Sequence, residues 1–292
     1  MTLDPDAVCF GVGGLTYAMT WSAGRLALPE VHKAFQITLS AAPDILLDFV
    51  CGDVQAQGEI VFDSRGVWTL YRQNGSYVIR FQSPVLGPQP YMVGVFDDTL
   101  STGKLHIRSD RCLREELVQP MYPLDELLLV NALGQQRGVL LHASLVDDDG
   151  RGWLFTGQSG AGKSTMASLW ERVGTTGIYS DDRVVVREEN GQFWAYGTPW
   201  HGTGVYAAPY KVPLSGIFVL HHAPQNSCIR LFPVPAVAQL FARCFPTFWN
   251  RDGLDFTMAF LERLVASVPC FELGFQPTEE IVAFVRTLDI CG

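Results

Sequence analysis

Apolar positions in the first hundred residues recur in short alternating runs, cut by Gly, Pro, Asp and Asn, as expected of strands that bury one face. The runs at 67–71 and 76–81 flank Arg72-Gln73-Asn74-Gly75. An Asn-Gly pair between alternating runs predicts a hairpin, because both residues tolerate the positive φ that a tight turn requires. Further strands are predicted at 17–21, 45–50, 59–62, 92–96 and 105–108, which together describe a mostly antiparallel β module.

The period changes near residue 120. Pro123 precedes 124–133, whose apolar spacing suits a helix with Asp125 and Glu126 in its first turn, where carboxylates favour the dipole. A domain boundary is placed just before it, giving an accessory or substrate-recognition domain at 1–115 and a second domain at 116–292. In the second, 138–146 and 152–156 read as buried strands. They are joined by Asp147-Asp148-Asp149-Gly150, whose composition suits a solvated turn better than a metal site. Helical spacing follows at 166–170, 235–245, 256–268 and 277–286, and strands at 214–222 and 270–275. The aromatic residues Phe245, Phe248, Trp249, Phe256 and Phe260 read as core packing. The fold class is therefore α+β or α/β, a β-rich N-terminal module followed by a mixed sheet with helices.

Composition narrows the function classes. Of 292 residues, 48% are hydrophobic and 17% charged, enough to bury a core, and the formal net charge of −9 excludes a general binder of nucleic acid or anionic membrane. Seven cysteines at wide spacing and in odd number suit free thiols in a reducing compartment. The N-terminus is acidic, without the pattern of a secretion signal, and no apolar run is long enough to span a bilayer, so a cytoplasmic protein with no membrane partner is expected. His32 and His106 have no partners at useful spacing and are assigned packing or surface roles.

The chemistry concentrates in Gly157-Gln158-Ser159-Gly160-Ala161-Gly162-Lys163-Ser164-Thr165, between a predicted strand and a predicted helix. This is the spacing and context of a phosphate-binding loop, or Walker A motif. The glycines let the backbone approach a polyphosphate, and the helix N-terminus supplies positive potential. Lys163 would reach the β- and γ-phosphates and Ser164 would hold Mg²⁺. Asp181 and Asp182, between two short apolar runs after the loop helix, add carboxylates that can serve a metal or accept a proton. His221 and His222 end one strand and point to opposite faces, which argues against a joint metal site.

Three stretches together, 137–146 with His142, the loop, and Ser180-Asp181-Asp182-Arg183-Val184, resemble the catalytic domain of HPr kinase/phosphorylase and its wider superfamily, which includes lasso-peptide-cluster kinases. The resemblance covers about 137–205 well and does not reach the first hundred residues. It implies an ATP-dependent serine kinase, or a kinase for a small hydroxylated acceptor, with ATP and Mg²⁺ as cofactors. It also implies an active-site role for His142, Asp181 as the base that activates the hydroxyl, and Asp182 as the acid supporting the metal. A homo-oligomer is the assembly the family suggests. Where the family carries a Glu and an Arg before a Gly-hydrophobic-Gly element, this chain has Tyr196-Gly197-Thr198-Pro199-Trp200-His201-Gly202-Thr203-Gly204. The resemblance therefore carries neither phosphorylase activity nor HPr as acceptor. His201, Thr203, Arg183 and Lys211 are further candidates for contacting phosphate or acceptor. Two alternatives stand beside a kinase: a phosphoenolpyruvate-carboxykinase-like enzyme, whose extra basic and metal-binding residues find no place here, and a nucleotide-sensing binding module with little turnover.

Overall fold

A computed structural model describes residues 6–22, 24–112, 116–118, 121–174 and 177–288. The chain divides into two compact units, Met1–Gly11 with Leu15–Ala132, and Val12–Gly14 with Leu133–Gly292. The fold is mixed α+β.

In the first unit the strands are β1 (Val8–Val12), β2 (Leu15–Trp21), β3 (Arg25–Ala27), β4 (Ile45–Cys51), β5 (Glu59–Asp63), β6 (Trp68–Gln73), β7 (Ser76–Phe81), β8 (Met92–Phe96), β9 (Thr102–Ile107) and β10 (Glu116–Val118). Eight of them form one sheet in the order β1-β2-β4-β9-β8-β7-β6-β5. The predicted hairpin is β6–β7, turning at Asn74 and Gly75, both at positive φ. The run β5 to β9 is antiparallel, whereas β9–β4 and β4–β2 are parallel, as is the small β3–β10 pair. Alternation alone cannot separate these, because side chains alternate at period two in both kinds of ladder. Ile45, Leu47, Phe49, Leu70, Ile79, Phe81, Leu105 and Ile107 share one sheet face and are fully buried.

Two sequence expectations change here. Cys51 at the end of β4 and Cys112 form a disulfide, with Cα atoms 5.9 Å apart, so the seven cysteines are not all free thiols. The parallel β4–β9 pairing sets Cys51 opposite Ile107 and so brings together residues 61 apart in sequence. Cys9, Cys228, Cys244 and Cys270 are free, and Cys291 lies outside the described residues. His32, in the short helix α1 (Glu30–Lys33), is buried with its Nε2 2.6 Å from Asp125 Oδ2 in α2 (Leu124–Gly134), a pairing across 93 positions.

The second unit contains β11 (Val139–Asp148), β12 (Arg151–Thr156), α3 (Lys163–Val173), β13 (Gly177–Ser180), β14 (Arg183–Glu189), β15 (Gln192–Tyr196), β16 (Lys211–His222), β17 (Ser227–Arg230), α4 (Pro233–Phe241), α5 (Arg251–Ser267), β18 (Cys270–Phe275) and α6 (Glu280–Thr287). The strand order is β12-β11-β14-β15-β16-β18-β17, and β12 also pairs with β16, which closes β12-β11-β14-β15-β16 into a ring. Closure is possible because β11 and β16 are long and each contributes one half to either side of it. Two cores result. One joins Leu145, Leu154 and Ile217 to Phe260, Leu261 and Leu264 of α5. The other sets Trp153, Phe155, Phe218 and Phe271 against Met166, Leu169 and Trp170 of α3 and Ile281, Val282 and Val285 of α6. With both faces covered, the strands read as continuous apolar runs.

The acidic turn departs from expectation. Asp149 and Gly150 make the β11–β12 turn at positive φ, yet Asp147 and Asp148 are buried, not solvated. Asp147 accepts the Tyr179 hydroxyl at 2.6 Å and the Gly150 N–H at 2.8 Å, and Asp148 accepts Arg286 at 2.6 Å and Arg151 at 3.2 Å.

Candidate active site

Residues 157–162 connect the end of β12 to the first turn of α3. Gly160 and Gly162 have φ of 81° and 98°, a conformation that L side chains rarely adopt. At Gly157 a Cβ would lie 2.8 Å from the Ala161 Cβ, and at Gly162 it would lie 2.7 Å from the Phe275 ring. The loop is therefore specified as backbone, and the exposed Gln158, Ser159 and Gly160 form its rim. Ser164 is half-buried and Thr165 exposed on the first turn of α3.

Lys163 is buried, and its ammonium donates to the Gly157 and Gln158 carbonyls at 3.2 and 3.3 Å. Burial pushes its pKa down, and the charges of Arg243 and Arg183 add to this while Asp182 opposes it; the net shift is downward. A desolvated cation held by two carbonyls at the floor of a glycine loop is a poised donor for an anion.

The adjacent carboxylates after β13 point to different partners. Asp181 is 1% exposed, and its two oxygens accept the N–H groups of Gly202 and Gly204 at 2.8 and 2.7 Å. A Cβ at either glycine would come within 2.9 Å of that carboxylate. Asp182 instead lies with Oδ1 3.0 Å from His142 Nδ1 and Oδ2 2.6 Å from Arg183 Nη1. Burial raises its pKa, but the His142 hydrogen bond and the charges of Arg183, His142 and Lys163 more than offset this, so it sits below the usual carboxylate range. The side chains of His142 and Asp182 remain 29% and 23% exposed, so a substrate can reach them. With Nδ1 donating to Asp182, His142 presents Nε2 as an acceptor.

The structure thus joins Lys163, His142, Asp182 and Arg183 in one electrostatic cluster and sets Asp181 behind it. Lys211 is committed to Glu189 at 2.6 Å and to the Trp194 ring, and His201 Nδ1 donates to the Gly202 carbonyl. Two neighbours were missed in the sequence. Arg243 belongs to a segment that runs along β11, its carbonyl accepting the His142 N–H at 2.8 Å, and its buried Nε has no hydrogen-bond partner. Nothing in the spacing of Arg243 relates it to the loop. His222 donates from Nε2 to the Gly160 carbonyl at 2.9 Å and stacks on Phe275, whereas His221 faces Glu272. The histidine pair closing β16 was the available signal for this contact. Among the described residues, no cluster of three or more His, Cys, Asp or Glu side chains is arranged to hold a metal.

Residues 123–274 match the model of the SynChlorMet cassette protein ScmC. The chain belongs to that family. The match spans β11, the glycine loop, Asp181-Asp182 and the 202–204 loop, so the geometry described above lies inside the family's own boundaries. A solved structure, the Hpr(Ser) kinase/phosphatase from Coxiella burnetii, is similar over 51% of this chain and 87% of its own, at 14% identity and a TM-score of 0.30. That likeness is too distant to bear on activity. No curated protein sequence matches the chain. No helix among the described residues is long and apolar enough to cross a membrane.

Proposed function

We propose that the chain is an ATP-dependent kinase that transfers the γ-phosphoryl group to a hydroxyl, on a serine of a peptide or protein or on a small molecule. The observation that carries this is the cluster itself: a buried lysine in a glycine loop at a helix N-terminus, within electrostatic reach of an accessible His–Asp pair. The loop N–H groups and Lys163 bind and orient the triphosphate. Ser164 and Asp182 are the oxygen donors that would hold Mg²⁺, which suits a hard cation and supplies neutralisation of phosphate charge when bound. Arg183 and Arg243 face the same space and stabilise charge on the transferred group.

The geometry favours His142 Nε2, oriented through Nδ1 by Asp182, as the group that receives the hydroxyl proton while the acceptor oxygen bonds to the γ-phosphorus and the bond to the β–γ bridging oxygen breaks, its electron pair leaving with ADP. Asp181, saturated by two amides, holds the 202–204 loop in place. The base that the family resemblance implies at Asp181 thereby moves to the His142–Asp182 pair, while Asp182 keeps its metal role. In the same proposal residues 116–292 act as the kinase domain and 1–115 as the accessory domain that recognises the acceptor.

The test is transfer of label from γ-labelled ATP to hydroxylated acceptors in fractionated extract. Label appearing on an acceptor with wild type and not with Lys163→Ala supports the proposal. ATP bound but neither hydrolysed nor transferred under any fraction would make the chain a nucleotide-sensing module instead.

A further inference from the structure

The family match begins at residue 123 and leaves the large sheet of the first unit outside it. One face of its large sheet carries the core; the other carries the cross-strand row Thr69, Arg80, Val93, His106 and Val50. The chain after β4 folds over this row, with Ala56 packed on Tyr71, Val78 and Val93. There it leaves a cavity of about 450 Å³, lined among others by Asp53, Val54, Ala56, Arg80, Val93 and His106.

The charges around the cavity are mostly satisfied. Lys104 pairs with Asp48 at 3.6 Å and Arg108 with Asp110 at 2.6 Å, while Asp53 accepts the Ser109 N–H at 3.1 Å. Arg80 differs. Its Nη2 donates to Thr69 Oγ1 at 3.1 Å and its guanidinium lies 5.7 Å from the Tyr71 ring centre, but it forms no ion pair among the described residues. Its Nε is buried without a hydrogen-bond partner. Beside it on the row, His106 makes no hydrogen bond among the described residues. Burial, reinforced by Lys104 and opposed by Asp48, lowers the His106 pKa, so at neutral pH it offers one donor and one acceptor. A partly desolvated guanidinium without a counter-ion carries a cost that a ligand carboxylate would offset, since the two match as a bidentate pair.

We propose that this cavity binds a carboxylate borne on an apolar body, with Arg80 holding the carboxylate, His106 hydrogen-bonding beside it, and Val54, Ala56 and Val93 receiving the apolar part. With one uncompensated cation among the described residues of the wall, and Asp53 beside it, the cavity suits a monoanion and disfavours a phosphate dianion. The volume lies in the range of small-molecule sites. The proposal is independent of the kinase assignment.

The test uses the full chain with N-acetyl-L-leucine as probe and N-acetyl-L-leucinamide, which lacks the carboxylate, as its control. Binding is read by calorimetry and by the histidine ring signals in NMR, with His106 assigned through His106→Gln. The expected result is saturable binding of the acid with a shift of the His106 ring, and at least about tenfold weaker binding of the amide. Arg80→Gln is expected to abolish that discrimination and Arg80→Lys to restore part of it, with melting temperatures recorded for both. The proposal is overturned by no saturable binding of the acid, by equal affinity for acid and amide, or by an Arg80→Lys variant that is folded yet indistinguishable from Arg80→Gln.

Discussion

Two aspartate pairs sit next to strand ends in the second unit, and they have opposite surroundings. Asp147-Asp148 closes β11, with Tyr179, Arg286 and Arg151 occupying its oxygens and the carboxylates buried. Asp181-Asp182 follows β13; one member is sealed by the 202–204 loop and the other faces His142, Arg183 and Lys163 with part of its surface open. The difference teaches that adjacent acids acquire a role from what else reaches them. A guanidinium from α6 makes the first pair a structural tie, and a partly accessible imidazole makes half of the second pair a candidate for chemistry.

The sharpest way to break this contrast is to remove the cation that links the second pair to the loop. Lys163→Ala is expected to lower ATP turnover by about 10³-fold or more, through loss of charge stabilisation on the phosphates. Its melting temperature should not fall, because a buried ammonium is removed, and steady-state turnover with thermal denaturation checks both. Asp182→Asn is next. It is expected to cost about 10²- to 10³-fold in kcat through loss of the His142 partner, the range of general-base contributions. Asp148→Asn should leave kcat within about twofold of wild type. Equal damage from the two would dissolve the distinction between the pairs.

Asp181→Asn separates anchor from base. An amide in that position presents N–H to one of two N–H donors, so loosening of the 202–204 loop is expected. About a tenfold loss in kcat should accompany it, with about 1 kcal/mol of lost stability. A loss as large as that of Asp182→Asn in a variant of wild-type stability would return the base to Asp181.

The smallest effect on turnover belongs to the structural pair, whose contribution shows in stability instead. Burial raises the Asp148 pKa, but the Arg286 hydrogen bond and charge bring it below its ordinary value. A carboxyl whose pKa is lower folded than unfolded contributes stability that is complete above the unfolded value of about 4 and is lost as pH falls through the folded value. Asp148→Asn is therefore expected to lose about 2 kcal/mol at pH 7, discounted because Arg286 is a third exposed, and to show a flatter loss of stability below about pH 4. Denaturation midpoints across pH 2–7 would show an unchanged acid limb if the tie is absent.

Much of the element order was legible because it rests on local chemistry. The Asn74-Gly75 turn, the acids in the first turn of α2, the strand–loop–helix run through Lys163 and the last strand and helix follow from residue type and spacing within a dozen positions. What was not legible depends on residues far apart in sequence. Parallel pairing of β4 with β9 and β2, the β12–β16 closure, the Cys51–Cys112 bond and the burial of Asp147 and Asp148 each need a partner brought in by the fold. At the candidate site, the loop, His142 and the Asp181-Asp182 pair were visible as types in order, and His222 only as one of the pair closing β16, while Arg243 was not, because it arrives on the segment after α4.

By itself the sequence determined that a glycine loop would stand between a strand and a helix, since only those residues allow its backbone path and only that context gives it a dipole. It also determined which polar residues were available nearby. Tertiary structure alone decided which of two consecutive carboxylates meets the histidine. The two residues lie in the bend between β13 and β14, and what each carboxylate meets is set by elements tens of residues away: the 202–204 loop at Asp181, and β11 with the Arg243 segment at Asp182.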